Sequence, residues 1–238
     1  MAYRRKVNTT KLDIIQVATK IFFEKGYSET SARKICDELD ISTGNLTYYF
    51  PTKEHILAVM VDMLCEFQWE VMQNWVEEGK TSLLAICLEL TAMAAMCEES
   101  EIAKDFYLSV YSHPMTLEII RKNDVDRAKQ VFAEYCLDWT EDQFKEAETL
   151  VSGIEYATMM TTESSSSLEM RIAGALNGIL LLYNVPEELR RVKIEKVLSI
   201  DYREVGRRIL REFIAYTEKT TEQAIEELLK NRRSHRET

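Results

Sequence analysis

The 238-residue chain is 46% hydrophobic with a net charge of −10, which gives it the apolar content for a substantial core and excludes an intrinsically disordered protein. No apolar run approaches the roughly 18 residues of a membrane span, and the charged start MAYRRKVNTTK has no apolar stretch behind it, so a secretory signal is not expected. Five scattered cysteines without a C-x-x-C pair suit reduced thiols in a cytoplasmic protein.

The first helix is expected from Thr10 to Lys25. Thr10 and Asp13 resemble a capping box, and Ile14, Ala18, Ile21 and Phe22 share one apolar face. Gly26 follows as a C′ glycine would. A second helix starts at Thr30 or Ser31, with Ala32, Ile35, Cys36 and Leu39 inward. A tight connection at Asp40-Ile41-Ser42 leads to a third helix from Thr43 to Phe50, capped by Ser42 and stopped by Pro51. Thr52 opens a fourth helix that runs to about Glu78, before Gly79. Helical period then recurs near 81–98, 100–112, 114–137, 140–162, 168–184, 186–199 and 202–231, with Ser164–Ser167 as the clearest loop. No alternating strand pattern appears, and the expected fold class is all-α.

Charge is unevenly spread. Residues 1–55 hold nine Lys/Arg and seven Asp/Glu, and the remainder holds 21 and 33. A mildly basic N-terminal module thus precedes a strongly acidic body, and contact with a polyanion depends on local charge. The second and third helices form a helix-turn-helix candidate. At 100° per residue, Leu46 and Phe50 point inward, Tyr49 lies toward their side, and Gly44, Asn45, Thr47 and Tyr48 face away. A glycine permits close backbone approach. Thr43, Asn45 and Thr47 offer short polar groups, and a tyrosine can pack on sugar or a thymine methyl. Ser31 and Arg33 can reach phosphate, as can Lys53 at a helix N-terminus. Arg4, Arg5 and Lys6 could extend the footprint as an arm.

Residues 12–57 resemble the DNA-binding domain of TetR-family bacterial repressors. The resemblance lies in IIQVATKIFFEKGYSETSARKICDELDIS followed by TGNLTYYFPTKEHIL. It implies DNA contacts at Thr30, Ser31, Arg33, Ser42, Thr43, Gly44, Asn45, Thr47, Tyr48, Tyr49 and Lys53. Thr43 stands where many members carry lysine, and Thr47 where many carry an aromatic residue. The resemblance further implies a homodimer on a double-stranded DNA operator and a C-terminal domain that binds a small-molecule effector. The expected division is a helix-turn-helix domain over 1–52, an effector-binding and dimerisation domain over 53–231, and a basic tail over 232–238.

In the body, large adaptable residues are candidates for an effector pocket. They are Phe67, Met72, Trp75, Met93, Met96, Phe106, Tyr107, Tyr111, Tyr156 and Met159. Glu89 and Glu155 sit in apolar company, where they either line a pocket and favour a cationic ligand or face water or a neighbouring base. The segment 168–184, rich in small residues, is expected to be buried, either within one chain or in a dimer bundle with part of 201–216. No nucleophile motif, phosphate loop or metal-spaced cluster appears, so neither an enzyme nor a cofactor or metal is expected. A DNA-binding architectural or occlusion dimer without an effector is the alternative, which a sealed body core would favour; a cavity of several hundred Å³ would favour a sensor.

Overall fold

A computed structural model of the chain describes residues 10–76, 82–221 and 223–226. The anticipated arm at Arg4, Arg5 and Lys6, the Gly79 stop and the tail over 232–238 lie outside them. Among the described residues the regular structure is entirely helical. The helices are α1 (Lys11–Lys25), α2 (Ala32–Leu39), α3 (Thr43–Tyr49), α4 (Lys53–Val76), α5 (Leu83–Glu99), α6 (Glu101–Ser112), α7 (Pro114–Val131), α8 (Glu141–Met159), α9 (Leu168–Leu182), α10 (Glu187–Leu198) and α11 (Tyr202–Lys219). None of the described helices is long and apolar enough to cross a membrane.

Local chemistry sets the ends of the first three helices. Thr10 and Asp13 close the capping box on α1, and Gly26 ends it at φ 87°, where a side chain would be strained. Ser31 and Ser42 cap α2 and α3 by accepting from the N–H of Lys34 and Asn45. Between them, Asp40 sits in the left-handed region at φ 54°. Its N–H bonds the Asp37 carbonyl, and the Ile41 N–H bonds Cys36, a Schellman closure made without glycine. Phe50, the residue before proline, is extended (φ −134°, ψ 104°) and ends α3. Ile14, Phe22, Ile35, Leu46 and Ile56 are buried together beneath these helices.

α4 packs on α1 near its start and on α5 and α7 along its length, so one helix of about 36 Å joins the head to the body. α5 is apolar around its whole circumference and lies at the centre of the body, touching α4, α6, α8, α9, α10 and α11. Gly206 lets α11 lie directly on it: a Cβ there would sit 2.7 Å from Met96 Cγ and 3.0 Å from the Ala92 carbonyl.

Two helices end earlier than their helical period suggests. α7 ends at Val131, not near 137, because Phe132 and Cys136 turn to wrap the end of α9. The Phe132 ring stacks on Tyr183 at 3.9 Å, and Cys136 Sγ donates to the Tyr183 carbonyl. α11 ends at Lys219, where Thr220 turns extended; Thr221 then caps a separate helical turn over 223–226. The 168–184 segment is buried on one face only, with Met170 68% and Leu181 55% exposed. α9 packs beside α8 and α10, the start of α11 reaches its first turn through the Tyr202 hydroxyl, which donates to Glu169, and α11 turns an Arg/Glu network outward.

Candidate nucleic-acid interface and body cavity

α3 is anchored by Leu46, which is 2% exposed, and the chain beyond it by Phe50 at 4%, while Tyr48 is 82% exposed. Thr43, Gly44, Asn45 and Thr47 are exposed beside Tyr48, and Tyr49 is half-buried. The Tyr48 and Tyr49 rings meet edge to face at 5.1 Å, which steadies the outer tyrosine. A Cβ on Gly44 would meet only Ser42 Oγ, at an ordinary 3.8 Å. Arg33 is exposed on α2, with Asp37 4.0 Å away, and Ser31 and Ser42 stand at the two helix N-termini on this side.

Two residues of the anticipated set are placed differently. Thr30 is 1% exposed, and its hydroxyl donates to the Gly26 carbonyl at 2.7 Å; it braces the turn and does not stand on the open face. Lys53 is half-buried. Its ammonium donates to the carbonyls of Tyr27 and Thr30, both at 2.8 Å, and lies 3.8 Å from the centre of the Tyr27 ring. Burial pulls its pKa down, opposed by Glu54 and Asp105.

The sequence reading did not find the contacts that hold this head to the body. Asp105 on α6 accepts from the Ser28 N–H at 2.9 Å, and a Cβ on Gly26 would press on the same carboxylate at 3.1 Å. The Tyr27 hydroxyl donates to Glu54, and its ring meets His113, between α6 and α7, edge to face. Gln16 on α1 donates to the Thr217 carbonyl at the end of α11. These partners lie far apart in sequence, and no local spacing marks them.

Among the described residues the body has an open cleft of about 710 Å³ between α7 and α8 and, in its interior, two adjoining narrow cavities of about 40 Å³ each, which share Glu89, Asp124 and Glu155. The narrow cavities have space for a few waters, well below a drug-sized pocket. Met93, Tyr107 and Tyr111 of the anticipated pocket residues line the space. Phe67, Met72, Trp75, Met96, Phe106, Tyr156 and Met159 do not. Met72, Phe106 and Met159 are fully buried packing, Met96 seats against Gly206, Phe67 packs on Phe213 and Tyr216, and Trp75 lies under Arg208.

Glu89 and Glu155 have polar partners that local sequence does not mark. Arg127 pairs with Glu89 at 2.5 Å and Asp124 at 3.5 Å. Glu155 accepts from the Tyr111 hydroxyl at 2.9 Å, and Glu148 accepts from the Tyr183 hydroxyl. Burial lifts Asp124 to about 7 against the pull of Arg127. Burial and the nearby Asp124 lift Glu148 to about 8. Burial, with Asp124 and Glu148, holds Glu155 well above the usual carboxylate range.

Comparison with known proteins places the head. Residues 14–60 match the family described as bacterial regulatory proteins, tetR family. Over 106 residues, 44% of this chain, the sequence is 31% identical to an uncharacterized HTH-type transcriptional regulator of Bacillus subtilis, YuxN, and spans 36% of that relative's length. Among solved structures, AmtR of Mycobacterium smegmatis is 17% identical, the match covering 83% of this chain and 98% of that one, with a TM-score of 0.39. TylP, a tetR regulator from Streptomyces fradiae, is 13% identical over 78% and 88% of the two chains, with a TM-score of 0.43.

Proposed function

Since the chain belongs, through residues 14–60, to the tetR family of bacterial regulatory proteins, we propose that it is a cytoplasmic DNA-binding transcriptional repressor, a homodimer that a small molecule releases from a pseudo-palindromic operator. The observation that carries the DNA-binding part is the division of α3 into a buried anchor and an open polar face centred on Tyr48. In this reading residues 1–52 read DNA, and residues 53–231 dimerise and take the effector. Two heads meet successive major grooves about 34 Å apart. Gly44, Asn45, Thr47 and Tyr48 approach base edges and sugar, with Thr43 and Tyr49 beside them. Ser31, Arg33, Ser42 and Lys53 hold phosphate, and Thr30 supports the turn from within.

The dimer part rests on two apolar stripes. Leu150, Gly153, Ala157 and Met160 run down the outer side of α8, and Met170, Gly174 and Leu181 run down that of α9. A Cβ on Gly153 or Gly174 would meet nothing within 4 Å. Small central residues between larger apolar ones suit a second helix pair packed closely against the first, and an isologous four-helix contact uses the same patch twice.

The effector part rests on buried polar groups left without partners in the body cavities. Because those cavities are small, an operator-occluding dimer with no effector is the second reading, and the two part on whether any compound releases bound DNA. The test of the common core is selection of bound fragments from genomic DNA, followed by titration of the selected duplex. Tyr48→Ala should weaken binding at least tenfold with folding and dimerisation unchanged. Equal affinity in the variant would remove Tyr48 from the interface, and failure to select any duplex would end the regulator reading.

A further inference from the structure

The body cavities carry a chemical signature of their own. Four carboxyl groups, Glu89, Asp124, Glu148 and Glu155, face one guanidinium, that of Arg127. A purely structural cluster would leave no polar atom unmet, because an orphaned buried donor costs roughly 1–3 kcal/mol. Here the Tyr107 hydroxyl and the Gln68 Nε2 are both buried in the cavity wall with no hydrogen-bond partner. Tyr107 is 2% exposed and Gln68 3%, and the two lie side by side. The two adjoining cavities are therefore acidic and narrow, with the Tyr107 and Gln68 polar atoms in the wall of one and the Glu148–Tyr183 pair in the wall of the other.

We propose that these adjoining cavities bind a small elongated organic cation, carrying ammonium or amidinium groups, that seats its charge among the shared Glu89, Asp124 and Glu155 and meets the Tyr107 hydroxyl. The proposal rests on the effector-responsive reading above and names the chemical class of the effector. Arg127 shows that the site accommodates a cation: its guanidinium lies between Glu89 and Asp124 and 4.4 Å from the Trp69 ring. The phenolic oxygen of Tyr107 accepts from an ammonium, and neighbouring tyrosine and tryptophan rings suit a cation's faces. A neutral or anionic ligand of the same length would not offset the excess of carboxyl groups over the one guanidinium of Arg127.

Proton exchange follows from the surroundings. The groups facing the space are Cys65 from α4, Glu89 from α5, Tyr107 and Tyr111 from α6, Asp124 and Arg127 from α7, Glu148 and Glu155 from α8, and Tyr183 after α9. Burial keeps Asp124, Glu148 and Glu155 protonated further up the pH scale than free carboxyls. An entering cation favours their ionised forms, and the displaced protons pass to solvent. Affinity then rises with pH, by up to about tenfold per unit for each proton released.

The experiment is calorimetric titration of the full chain with 1,4-diaminobutane, 1,6-diaminohexane and benzamidine, alongside 1,4-butanediol and succinate. Repeating it in buffers of different ionisation enthalpy counts the protons. Saturable binding by at least one cation, proton release, tightening from pH 6.5 to 8.5 and indifference to the diol and diacid are expected. Glu155→Gln should weaken the cation at least tenfold. Tyr107→Phe, which removes an unsatisfied hydroxyl and leaves charge alone, should weaken it several-fold while preserving or raising the thermal midpoint; it keeps the test open if the glutamine variant folds poorly. No saturable binding by any of the three cations, or equal binding of the diol, overturns the proposal. Selective DNA binding without cation binding removes the ligand class and leaves the regulator standing. A cation that binds without altering operator affinity upholds the site and removes the release step.

Discussion

Gly44 has no internal reason to be glycine. Its backbone does not occupy the left-handed region, and a methyl group would find open space beside Ser42. Alanine there should stabilise α3 by about 0.5–1 kcal/mol through helix propensity. If the missing side chain serves close approach of DNA, Gly44→Ala gains thermal stability and loses operator affinity at once. A variant that gains stability and binds as before would show the glycine to be incidental. Lys53 presents the opposite case, a cation with internal duties. Its two bonds to backbone carbonyls close the α1–α2 turn onto α4, and removing charged hydrogen bonds of this kind costs roughly 1–3 kcal/mol. Lys53→Met should therefore lower the melting temperature by several degrees as well as weaken DNA, judged by calorimetry beside binding across salt concentrations. An unchanged melting temperature would mean that the ammonium serves DNA alone. At this scale the inward and outward residues of α3 were legible, because helical geometry assigns faces in a short helix with two large anchors. The duties of Thr30 and Lys53 were not, since both depend on where other segments cross.

At the scale of elements, capping chemistry located most helix starts and Pro51 the end of α3. The early end of α7 was hidden because Ala133, Glu134 and Leu137 carry no breaker signal; the stop comes from Phe132 and Cys136 folding around Tyr183, a residue 47 positions beyond Cys136. The apolar character of 168–184 was legible, but its neighbour was not. The pairing of α9 with α8 sets two apolar stripes side by side on the surface. A large charged residue at the centre of that surface should separate the subunits without disturbing the single chain. Gly174→Arg is expected to yield a monomer of unchanged helicity by sedimentation equilibrium, with operator affinity reduced at least a hundredfold as the two heads lose their linkage. A variant that sediments as wild type would place the dimer contact elsewhere.

For the whole molecule, the buried carboxyl groups make stability depend on pH. Glu148 titrates near 8 in the folded chain against about 4.5 for an ordinary glutamate. Between these values the folded state holds a proton that the unfolded state has released, so stability falls as pH rises through the window and levels off above about 8. Asp124, lifted to about 7, acts in the same direction. Glu148→Gln removes that contribution. The melting temperature of the variant should exceed that of the wild type by a margin that widens from pH 4.5 to 8; a constant margin would show that Glu148 ionises normally. None of this was visible in composition, because the acids come from three helices and meet only in the fold.

At the α1–α2 turn the seam between head and body uses the head's main chain as well as its side chains. Asp105 binds the Ser28 amide, Lys53 binds the Tyr27 and Thr30 carbonyls, and Gly26 contributes an absence. Main-chain groups survive most substitutions. The reading surface on α3 is thus free to drift toward new DNA sequences without renegotiating how the head is mounted, and the α2–α3 segment behaves as an exchangeable cassette. Evolution can rewrite what the protein recognises and leave untouched the joint through which the body holds it.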